Sequence, residues 1–220
     1  QTQGVISLGV GEPDFVTPWH IREACFYSLE KGETMYTSNR GLLELREEIG
    51  IYQKKITDIS YDPEKEILVT VGVSEAVDLA LRALIEPGDE VLIPEPTYVS
   101  YVPQTVLAYG KPVSIPLFNE DQYRLKPEVL REKITPRSKI LILAYPHNPT
   151  GGIMKREDLE LLIPIIIEHD LIVISDELYC ELTYEGKHYS IASLPGMRDR
   201  TLLVNGLSKA FAMTGWRIGY

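Results

Sequence analysis

From residue 66 onward, short β-branched and aliphatic runs alternate with longer amphipathic stretches. That alternation predicts an α/β fold of three layers, a mostly parallel sheet with helices on both faces. Two further observations agree. The strand-like runs are apolar throughout rather than at every second position, as strands buried on both faces require. Polar and aromatic residues also gather directly behind those runs, where open α/β sheets bind their ligands.

The elements follow in order. Residues 67–71 read as the first strand and residues 74–85 as a helix, with Val77, Ala80, Leu81, Leu84 and Ile85 on one face. Pro87-Gly88-Asp89 is a turn. Further strands are expected at 90–93, 111–115, 139–143, 171–175 and 201–204. Residues 159–168 read as a helix that Pro164 should bend or break. The opening differs, with Gly9, Gly11, Pro13, Pro18 and Gly41 around two helices at 19–31 and 42–56. Residues 1–60 are therefore expected to be an arm and the start of the fold, and residues 61–220 the main domain. The chain has no starting Met, and residues 215–220 hold no stop signal, so further chain is expected beyond the given ends.

Composition narrows the function classes. The 220 residues are 44% hydrophobic and 25% charged, ordinary for a globular domain. A net charge of −10 without a basic cluster argues against nucleic acid. The longest apolar run, residues 161–167, is interrupted by Pro164 and too short to span a bilayer, so no membrane partner is expected. Cys25 and Cys180 form neither a disulfide framework nor a metal pair, and no signal peptide is visible. No metal site is expected, and a cytoplasmic, reducing compartment fits best.

The residues behind each strand carry the functional signal. Gly72-Val73-Ser74 opens a helix whose free N–H groups suit a phosphate, though Ser74 also reads as an ordinary N-cap. Tyr98 could stack on a flat ring or fill space between strand and helix. Asn148 sits in the Pro-flanked string His147-Asn148-Pro149-Thr150-Gly151, where an Asn can simply bond its own backbone. Asp176 ends a long apolar strand and needs a partner, either a structural cation or a ligand nitrogen. Lys209 alone would read as a surface lysine. Ser208 before it, and Trp216-Arg217 after it, change that reading.

The run from Asn205 to Tyr220, NGLSKAFAMTGWRIGY, resembles the lysine signature of the class I/II aminotransferases, the fold type I pyridoxal-phosphate enzymes. Four more blocks resemble the same family: Gly9-Val10-Gly11-Glu12-Pro13-Asp14-Phe15; Tyr36 with Asn39-Arg40-Gly41 and Leu45-Arg46; HNPTG; and Asp176-Glu177-Leu178-Tyr179. The resemblance implies the large domain of that fold, with pyridoxal 5'-phosphate held by Lys209. It implies that Asp176 pairs with the ring nitrogen, that Asn148 and Tyr179 bond the ring's phenolic oxygen, and that Tyr98 stacks on the ring. Val73, Ser74, Ser208 and Arg217 would hold the phosphate, with Tyr36 arriving from the neighbouring subunit of a homodimer. Gly11 would lie in the substrate loop, and the substrates would be an amino acid and a 2-oxo acid. Gly206 departs from the pattern, standing where many relatives carry a hydroxyl near the phosphate. The family's small domain, with the arginine for the substrate α-carboxylate, follows the lysine segment and is not in this sequence.

Other readings remain open at this point. β-Lyases and decarboxylating enzymes share the lysine, aspartate and phosphate groups, while the GEPDF and HNPTG strings favour transamination. A hydrolase could use Ser74 in a near-elbow sequence, with Asp176 and His188 following in triad order. It lacks the final elbow glycine and leaves Lys209, HNPTG and Arg217 unexplained. A dehydrogenase lacks its GxGxxG.

Overall fold

The computed structural model describes Gly9 and residues 11–220. The N-terminal block read around Gly9-Val10-Gly11 is therefore covered except for Val10, which lies outside the described residues. Six helices are described, α1 (Trp19–Glu30), α2 (Leu43–Thr57), α3 (Gly72–Leu84), α4 (Tyr101–Leu107), α5 (Pro127–Lys133) and α6 (Arg156–Glu168). The strands are β1 (Thr70–Val71), β2 (Glu90–Glu95), β3 (Lys111–Pro116), β4 (Ser138–Ala144), β5 (Ile172–Asp176), β6 (Thr201–Val204) and β7 (Ile218–Gly219).

Five strands form one parallel sheet in the order β3-β2-β4-β5-β6. Alternate residues of each strand enter different cores, which is why the strands are apolar throughout. Leu92, Leu141, Leu143 and Val173 pack with Leu130 of α5 and Leu159, Leu162, Ile165 and Ile166 of α6. Val91, Ile93, Ile140, Ile142 and Ile174 pack on the other face with Val77 and Leu81 of α3 and with Tyr101 and Ala108. The three-layer expectation is met.

Three local readings need correction. The first strand shrinks from residues 67–71 to Thr70–Val71, and it pairs antiparallel with β7 rather than joining the parallel ladder directly. Ile67 and Val69 instead pack against α2 in a small cluster with Ile49 and Tyr220, so their apolarity serves that cluster. An antiparallel bridge between Gly206 and Gly219 ties the β1–β7 pair to the end of β6. Pro164 does not break α6, which starts three residues earlier than read. The proline stands on the exposed side, so the carbonyl it leaves unpaired one turn back, at the exposed Glu160, faces solvent. The short helices α4 and α5 were not read as helices; Pro103 and Pro127 occupy their first turns, where the missing N–H is harmless.

The sheet sets the place for a ligand. From β2 the chain steps outward to β3, then returns to β4 on the other side. The strand order reverses between β2 and β4, and the crevice beyond their carboxyl ends is the expected binding place.

Candidate active site

That crevice is a pocket of about 180 Å³. Each wall comes from the end of a strand. The β2 end supplies Tyr98, β4 supplies Asn148, β5 supplies Asp176 with Tyr179, and the segment after β6 supplies Ser208 and Lys209. Val73 and Ser74 at the start of α3, with Gly11 and Arg217, complete it. The structure thus brings ten of the eleven residues read from the sequence to one pocket. The exception is Tyr36, which is wholly exposed and away from it.

Asp176 is 8% exposed. Its Oδ2 accepts from Tyr101 Oη at 2.7 Å and its Oδ1 from the Leu178 N–H at 3.1 Å. Burial pushes its carboxyl above the usual carboxylate range, against the downward pull of those two hydrogen bonds. No lysine or arginine pairs with it among the described residues, so a structural ion pair does not account for it. A buried carboxylate with no cation calls for a cationic ligand atom.

Lys209 Nζ donates to the Gly11 carbonyl and stands 5.6 Å from the centre of the Tyr179 ring. Burial lowers its amine below the ordinary lysine value, which enlarges the neutral fraction that can act as a nucleophile. Asn148 Nδ2 donates to Tyr179 Oη at 3.4 Å, placing both groups at one point of the rim.

The opposite end suits an anion. Helix α3 starts at Gly72 with no side-chain cap, so Ser74 is not the N-cap but lies inside the first turn. Gly72 has φ 76°, and a Cβ there would lie 2.8 Å from Arg217 Cζ. Glycine therefore lets the guanidinium lie against the open helix end. Arg217 itself is left-handed at φ 54°, with its Nη1 donating to the Thr214 carbonyl at 3.0 Å. Gly206, which stands where many relatives carry a hydroxyl, has no room for a side chain. A Cβ there would meet Ile218 O at 2.9 Å and Val73 Cγ2 at 3.1 Å.

Pyridoxal phosphate fits these residues. An uncompensated buried carboxylate, a partly desolvated lysine and a glycine-opened anion cradle lie around one small pocket. The hydrolase triad does not assemble, because His188 is outside the pocket and its Nε2 pairs with Glu177 Oε2 at 2.8 Å.

A sequence model described as aminotransferase class I and II matches residues 3–220. The chain belongs to the aminotransferase class I and II family. It is 52% identical to an aspartate aminotransferase of Pyrococcus abyssi over 98% of its own length and 56% of that protein's. It is 47% identical to aromatic-amino-acid aminotransferase 2 of Thermococcus litoralis over 99% of its length and 56% of that protein's. A solved aromatic aminotransferase from Pyrococcus horikoshii superposes with a TM-score of 0.96 at 50% identity, covering 100% of this chain and 59% of that one. The chain thus spans little more than half the length of these aminotransferases.

Glu12, Tyr101 and Thr214 are among the further pocket residues to which the sequence reading gives no role. Thr214 Oγ1 donates to Glu12 Oε1 at 3.0 Å, and Thr17 Oγ1 donates to the Ala212 carbonyl at 2.6 Å while accepting from Trp216 Nε1 at 3.1 Å. These bonds fasten the N-terminal segment of the chain to the loop that carries Lys209.

His147 of the HNPTG string faces away from this chemistry. It is 4% exposed, with Nδ1 at 2.8 Å from Thr150 Oγ1 and Nε2 buried without a partner. Burial pushes its pKa down to about 4. The unfolded chain, with an ordinary histidine near 6.5, takes up the proton first as pH falls. Stability is therefore expected to decline from about pH 6.5 to about pH 4, by up to about 3 kcal/mol. Denaturant titrations of the parent and of His147→Leu across that window check this; equal pH slopes in the two proteins would refute it.

Proposed function

We propose that this chain is the cofactor-binding portion of a pyridoxal-phosphate-dependent aminotransferase that moves an amino group between an L-amino acid and a 2-oxo acid. The observation that carries the reading is the convergence of Lys209, Asp176, Asn148, Tyr179 and Arg217 on one pocket at the strand-order reversal. When bound, the cofactor supplies an electron sink for the substrate's α-carbon.

The chain's residues do the rest. Arg217, Ser208 and the first N–H groups of α3 bind the phosphate. Asp176 stabilises a protonated ring nitrogen. Asn148 and Tyr179 would hold the ring's phenolic oxygen, and Tyr98 would stack on the ring. Lys209 Nζ would hold the cofactor and, once released, would take the proton from the substrate's α-carbon. Gly11 keeps that amine at the mouth of the pocket and lines the substrate's side.

Tyr36, exposed and outside this pocket, would serve the pocket of a second copy, so the working unit is a homodimer. Among the described residues no helix is long and apolar enough to cross a membrane, and both cysteines are free, in keeping with a cytoplasmic enzyme. The relatives act, by their names, on aspartate and on aromatic amino acids, and those are the donors to try first.

The test is amino transfer by the full-length protein from aspartate, phenylalanine and tyrosine to 2-oxoglutarate, with added pyridoxal phosphate. Transfer from at least one donor is expected. β-Elimination or decarboxylation without transfer would replace this reading with the related lyase chemistry.

A further inference from the structure

Tyr101 opens α4 and is 3% exposed. Its hydroxyl reaches across 75 residues of sequence to Asp176. It is the only side chain that hydrogen-bonds Asp176 among the described residues. The two cations of the pocket are engaged elsewhere, Lys209 at the Gly11 carbonyl and Arg217 at the Thr214 carbonyl. The Tyr101 ring also stands edge-on to Tyr98, with centroids 5.6 Å apart and planes at 76°. One residue thus touches both the carboxylate beneath the pocket and the aromatic ring at its wall.

We propose that Tyr101 is a positioning residue, whose O–H favours the anionic form of Asp176 and aims its carboxylate into the pocket and whose ring edge sets the tilt of Tyr98. The proposal rests on the reading of Asp176 as the partner of the cofactor's ring nitrogen. The physics is a contest between opposing effects. Burial and the neighbouring Glu177 favour the protonated, neutral acid, which could not stabilise a protonated ring nitrogen. The Tyr101 hydroxyl and the Leu178 amide favour the anion. The other titratable groups around the pocket are Glu12, Tyr98, Tyr179, Lys209 and Arg217. A phenol buried merely to fill space would need only some acceptor, and phenylalanine would serve as well at a site without one.

The test compares full-length parent, Tyr101→Phe and Asp176→Asn. Phenylalanine keeps the edge contact with Tyr98 and removes only the donor. In the cofactor-free proteins, the carboxyl infrared band absent from Asp176→Asn reports the titration of Asp176. Its midpoint is expected to rise by about one pH unit in Tyr101→Phe. Pyridoxal phosphate affinity is then expected to fall about 10-fold, with its acid limb displaced to higher pH by the same interval. Should the phenylalanine variant fail to fold, a ring-fluorinated tyrosine at position 101 is a stronger donor and must move the midpoint downward.

An unchanged Asp176 midpoint in these variants overturns the proposal, whether or not the parent binds the cofactor. Failure of the parent to bind pyridoxal phosphate overturns instead the cofactor reading of the pocket, a result the infrared titration does not depend on.

Discussion

Lys209→Ala is expected to lower amino transfer by about 10⁴-fold, the upper end of what a positioned proton-transfer group contributes. Two roles would disappear together: on the proposed reading Nζ, whose amine burial lowers below the ordinary lysine value, both holds the cofactor and takes the proton from the substrate's α-carbon. Alanine at this half-buried position leaves the fold intact, because the loop is fastened by Thr17, Thr214 and the Gly206–Gly219 bridge rather than by the lysine. Borohydride treatment of the parent loaded with pyridoxal phosphate should fix the cofactor on the peptide containing Lys209. The variant should still bind cofactor through its phosphate but leave no adduct. Adduct formation on another lysine in the parent would remove Lys209 from its assigned place.

Asp176→Asn is expected to weaken cofactor binding by about 10²- to 10³-fold, the usual cost of deleting one member of a buried charge pair. Asparagine has the same shape, and its Oδ1 can still accept from the Leu178 amide while its Nδ2 donates to a Tyr101 hydroxyl turned to accept. The fold should therefore persist, and the loss should report chiefly the removed charge. Equilibrium dialysis across pH checks it. The parent should show an acid limb where Asp176 gains a proton, and the variant should show weak binding without that limb. Equal affinity in both would mean that the carboxylate does not face the ring nitrogen.

Much of the scaffold was legible because burial on both faces leaves a continuous apolar signature, as in β4 and β5. What was not legible shared one cause, since apolarity does not say which neighbour uses it. Ile67 and Val69 read as strand but pack on α2, and β7 is two residues long and ends in glycine. The pocket was legible where unusual chemistry followed a strand, at Asn148, Asp176 and Lys209. Tyr101 was not, because a tyrosine among Val102, Thr105 and Val106 resembles any helix core. Only its spacing of three residues from Tyr98 could have paired the two.

The short antiparallel joint between 205–207 and 218–220 has one more consequence. Asn205 and Tyr220 exchange both backbone hydrogen bonds, at 2.9 and 2.8 Å, and Leu207 donates to Ile218 at 3.0 Å. Lys209 and Arg217 therefore hang from a single clasp, one near each foot of the same closed loop. Surface loops ordinarily accept inserted residues at little thermodynamic cost. This one should not, because any change in its length moves the amine and the guanidinium relative to each other while both must meet one ligand. The two groups thus form a unit of fixed length, and a graft of this chemistry onto another sheet would have to carry the clasp along with the residues it spaces.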